Sequence, residues 1–74
     1  MATYHVQHRY GFCGDYNNDD RIVVDVQDAV IYSRYGAIRV AEDINKRLGE
    51  LDRKAKPVML TATGNVRTVH VVRS

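Results

Sequence analysis

The chain has 74 residues, one cysteine and a net charge of +2. That length gives one domain, residues 1–74, with room for one helix and one sheet and a core that is marginal by itself. Cys13 alone excludes an internal disulfide and an obvious redox framework; no apolar run approaches a span of roughly 18–20 residues, and the first residues lack a signal peptide's basic and apolar regions. A cytoplasmic chain that does not engage a membrane is therefore expected. The charge is uneven: two arginines against five aspartates leave residues 1–30 at −3, and nine basic against four acidic side chains leave residues 31–74 at +5. Such a balance permits a polyanionic partner without requiring one.

From Tyr4 to Phe12 the residues alternate, with Tyr4, Val6, His8, Tyr10 and Phe12 on one side, and period two predicts a strand whose aromatics lie under a helix. Cys13 to Asp20 is rich in Asn, Asp and Gly, residues that favour turns. Arg21 to Val26 is β-branched and predicts a second strand paired with the first. Ala29 to Tyr32 reads as a short strand or a continuation of the second, because Gly36 opposes a helix that starts earlier.

Ser33 to Lys56 carries Ala37, Val40, Ala41, Ile44, Leu48, Leu51 and Ala55 at steps of three and four, which predicts one amphipathic helix. Ser33 is its expected N-cap and Pro57 its stop. Opposite-charge pairs four apart, among them Arg39/Asp43 and Asp43/Arg47, lie on its outer side. Beyond it, Val58 to Thr63 and Val66 to Arg73 flank Gly64-Asn65, a pair suited to a two-residue hairpin turn. The expected register sets Val58 against Val71, Leu60 against Val69 and Met59 against His70. The expected fold is thus α+β, one antiparallel sheet of four or five short strands in the order β-β-(β)-α-β-β, with a single helix across one face.

No catalytic motif is present. Asp15, Asn17 and Asp19 supply oxygens at the first, third and fifth places of a calcium loop, but Asp20 stands where that loop needs glycine, so an ordinary polar loop is favoured over a metal site. His5 and His8 are three apart in a strand and point to opposite faces, so with His70 and Cys13 they form no zinc spacing, and no cofactor is expected.

What remains is a small non-enzymatic accessory protein that acts by stoichiometric association with another macromolecule, most plausibly a protein, in the manner of inhibitors carried by phages and plasmids. Tyr16, Asn17, Tyr35, Met59, His70 and Val72 are its candidate contact residues, since tyrosine is enriched among interface anchors. A nucleic-acid-binding domain using Arg34, Arg39, Arg47, Arg53, Lys54 and Lys56 is the alternative, and a metal-binding module using the acidic loop the second. The sheet face left bare by the helix, expected to carry Met59, Thr61, Thr68, His70, Val72, Val23 and Asp25, would suit a homodimer.

Overall fold

Thr3–His8 forms β1, Gly11–Cys13 β2, Ile22–Val23 β3, Lys56–Leu60 β4 and Val66–Thr68 β5, while Arg34–Leu48 forms the helix α1. This computed structural model describes residues 2–18, 21–48 and 55–70, apart from the side chain of Leu48. The strands make one antiparallel sheet in the order β3-β2-β1-β4-β5, so the first strand in sequence is the middle strand in space. The fold is α+β in the expected element order, with α1 packed against the sheet.

The helical stripe is buried where the wheel places it. Ala37, Ala41 and Ile44 pack with Val6, Cys13 and Ala55, and Tyr4, Tyr32 and Val40 flank them. Ser33 caps α1, its Oγ accepting from the Gly36 N–H at 3.0 Å. The helix was expected to run to Lys56, yet Ala55 already leads into β4 and Pro57 lies inside that strand, buried opposite Val6. The residue before a proline is pushed out of the α region, which accounts for an extended Lys56. The side chain of Asn45 fixes this entry, donating from Nδ2 to the Ala55 carbonyl and accepting at Oδ1 from its N–H, both at 2.8 Å. Leu51, like the side chain of Leu48, falls outside the described residues.

The strands depart from expectation at several places. The run from Tyr4 to Phe12 is not one strand: it turns at Arg9 and Tyr10, setting His8 opposite Gly11 and Gln7 opposite Phe12. Gly11 has φ +154°, and a Cβ there would sit 2.4 Å from the Val23 carbonyl oxygen. Only glycine lets β3 approach so closely. Tyr10 is therefore exposed in the turn rather than under the helix, and Phe12 faces the other side of the sheet, where it meets Ala29 and Val58.

The second strand ends at Val23 rather than Val26, because Asp25 accepts at Oδ1 from the Gln27 N–H at 2.9 Å and starts a single 3-10 turn over Val26–Asp28. Residues 24–30 then form a strap, whose Val26 and Ala29 pack with Phe12, Val23 and Val58 on the face opposite α1. Of the short strand expected at Ala29 to Tyr32, one bridge forms, between Tyr32 and Tyr4.

The last hairpin is shifted by three residues. Leu60 pairs with Val66, Met59 with Arg67 and Val58 with Thr68. The chain does not close in a two-residue turn at Gly64-Asn65; Gly64, with φ 89°, lies in a longer loop. Thr61 instead builds a longer connection, its N–H donating to the Asn65 carbonyl at 2.8 Å and its Oγ1 accepting from the Asn65 N–H at 3.0 Å. An odd shift exchanges the faces of β5 relative to β4. Thr68 consequently lies on the strap side with Val58, as Val23 does opposite Phe12, while Met59, opposite Tyr4, lies on the helix side. The expected bare face is two half-faces, and the strap covers much of one.

Candidate functional site

Two exposed tyrosines, Tyr16 and Tyr35, belong to the junction that leads from the Tyr32 bridge into α1 and to the loop that reaches it. The loop after β2 is braced by an Asx turn, Asp15 Oδ1 accepting from the Asn17 N–H at 2.9 Å, and by the Gly14 N–H donating to the Arg21 carbonyl at 2.9 Å. From this loop Tyr16 reaches back, donating its hydroxyl to the Ile31 carbonyl and setting its ring edge-on to Tyr32 at 5.3 Å. Tyr32 in turn donates its N–H to the Tyr4 carbonyl at 2.8 Å, which ties the junction to the middle strand. Tyr16, Ile31 and Tyr35 remain 63%, 56% and 67% exposed. Exposed surface of this kind, with Tyr16 held in place, is what an interface anchor offers.

Cationic groups stand beside it. Arg34, in the first turn of α1, donates to the His70 carbonyl at 3.4 Å, and the Arg39 guanidinium lies 5.7 Å from the centre of the Tyr35 ring. No acidic residue occupies that first turn. A cation there is not favoured by the positive end of the helix dipole, so helix stability does not explain the choice of Arg34.

The structure thus links Tyr16, Asn17, Tyr35 and, through its backbone, His70 to one junction. Met59 does not join them: it is half-buried on β4 opposite Tyr4. Val72 falls outside the described residues, as do Arg53, Lys54 and Asp19. Ile31 was missed, because within a short strand nothing marks which of Val30, Ile31 and Tyr32 turns outward. Of the basic set, Arg34 and Arg39 sit about 140° apart around the helix at about 100° per residue, Arg47 pairs with Asp43 at 2.9 Å, and Lys56 lies on β4. They do not share one face.

Two of the histidines, His5 and His8, are buried. His5 lies on the strap side, Nδ1 bonding the Val30 carbonyl at 2.9 Å and Nε2 meeting Thr3 Oγ1 at 2.8 Å, so it pins the strap. His8 lies on the helix side with Nε2 2.8 Å from Cys13 Sγ. A thiol beside an imidazole is the pairing that activates a cysteine nucleophile, but this sulfur has no exposed surface and lies in the core under α1. Among the described residues no group of three or more His, Cys, Asp or Glu side chains could hold a metal ion, and no helix is long and apolar enough to cross a membrane.

No family model, no curated protein and no solved structure matches the chain.

Proposed function

We propose that the chain is a stoichiometric binding module for another protein and that it docks through the junction of Tyr16, Ile31 and Tyr35. The observation that carries this reading is the placing of three large exposed side chains at one junction, Tyr16 held there by its hydroxyl and its contact with Tyr32, whereas Tyr10, Val24 and Val66 are exposed at separate places in the fold. An aliphatic side chain among the aromatics suits a protein surface better than a nucleobase, whose recognition by unpaired stacking calls for flat rings. The spread of the arginines around α1 supports the same choice over a phosphate backbone.

Capture of partners from source-cell lysate on the immobilised chain, with and without nuclease, tests it. Tyr35→Ala and Ile31→Asp are expected to keep the fold and to weaken retention of the same protein partner by about tenfold or more, as loss of an anchor worth 2 kcal/mol or so does. Retention abolished by nuclease, or unchanged in both variants, overturns it.

A further inference from the structure

The outer edge of β5 has a definite hydrogen-bonding parity. Across the β4/β5 ladder the Thr61 N–H donates to the Asn65 carbonyl at 2.8 Å and the Val69 N–H to the Pro57 carbonyl at 2.9 Å. In a strand the N–H and C=O of one residue point to the same side and alternate along the chain, so residues 65, 67 and 69 turn inward to β4, and Val66, Thr68 and His70 turn outward. Among the described residues no strand lies beyond β5. Arg34 meets the outward His70 carbonyl. Among the described residues the N–H and C=O of Val66 and Thr68 have no partner, two donors and two acceptors on a strand exposed at all three residues.

Arg67 lies between them. Its side chain stands on the helix side, at the end of a cross-strand row that runs from Tyr32 through Tyr4 and Met59. Among the described residues it forms no ion pair. In the two-fold β5 pairing that sets Val66 against Thr68 and so uses all four outward groups, Arg67 would face Arg67 in the closely spaced pair, where like charges destabilise. That register is disfavoured between two copies, and the same place favours an incoming strand with a carboxylate.

We propose that the β5 edge receives an extended, acidic segment of a partner protein as an antiparallel sixth strand, with an Asp or Glu set against Arg67 and the backbone of Val66 and Thr68 bonding it. This deepens the protein-binding reading by naming a kind of partner segment, and its test needs no natural partner, so either can fail alone.

The chain can serve as its own probe. Labelled wild-type protein is titrated with unlabelled R67E, which offers the same strand with the opposite charge, and amide exchange is followed by NMR. Val66 and Thr68 amides are expected to exchange freely in each protein alone and to gain several-fold protection in the mixture. Adding Thr68→Pro to R67E removes one outward donor without touching the inward ladder, and is expected to lower that protection. A synthetic peptide of residues 64–70 carrying Arg67→Glu gives the same readout without depending on the variant's folding. No protection from either probe, or equal protection in wild type alone as concentration rises, overturns the proposal.

Discussion

The two faces of the sheet are covered by different means. On one, α1 lays Ala37, Ala41 and Ile44 onto Val6 and Cys13, and its backbone groups bond one another along the helix. On the other, the strap of residues 24–30 covers Phe12 and Val58 with Ala29 and has to find each bond separately: Ala29 N–H to the Val26 carbonyl at 3.2 Å, Val30 N–H to the Cys13 carbonyl at 3.0 Å, and the Val30 carbonyl to His5. A helix is cooperative once nucleated, whereas a strap is held by a few independent ties. Removing one such tie should loosen the strap locally, and damage to the helix face should be felt by the whole domain.

The largest expected effect is on the helix face. Ile44 is fully buried, so Ile44→Ala should cost about 2–5 kcal/mol, much of what a small domain has. Urea unfolding would show the midpoint falling with one cooperative transition for every probe. A loss under about 0.5 kcal/mol, the range of surface changes, would mean that α1 does not close this core.

On the strap face, His5→Phe keeps a ring of similar shape and deletes both side-chain bonds, leaving the Val30 carbonyl without this donor at a cost of about 1–3 kcal/mol. Hydrogen exchange sharpens the contrast. Amides of the strap should exchange faster in this variant while those in the middle of α1 keep rates close to wild type. Equal acceleration in both would show that the two covers form one cooperative unit. The smallest effect belongs to neither face: Asp43→Ala breaks an exposed pair with Arg47 and should change stability by about 0.2–0.5 kcal/mol, less in high salt.

The same contrast explains what could be read from the residues alone. The order of elements and the buried stripe of α1 were legible because many positions repeat one period, so no single residue decides them. The turn at Arg9 and Tyr10, the 3-10 turn after Asp25 and the register of the last hairpin each depend on one or two local bonds or on one glycine. Alternation carried the eye through Gly11 because a glycine fits either side of a strand pattern. Thr61 outweighed Gly64-Asn65 through a side-chain bond that composition does not announce. At the candidate site, residue type pointed to Tyr16 and Tyr35, but Ile31 became visible only once the Tyr32 bridge fixed which way the neighbouring side chains turn.

The position of β1 has a consequence for the making of the protein. Thr3 pairs with Leu60, so β1 must wait for residues 57 positions further along before its second neighbour exists. At about 5–20 residues per second that wait is roughly 3–11 s, long compared with the microseconds in which a hairpin such as β1 with β2 can close. During it one edge of β1, together with the apolar side of Val6, has no partner from its own chain. Whatever nascent-chain protection the cell supplies would therefore matter most for the amino-terminal hairpin, and a slower ribosome would lengthen its exposure in proportion.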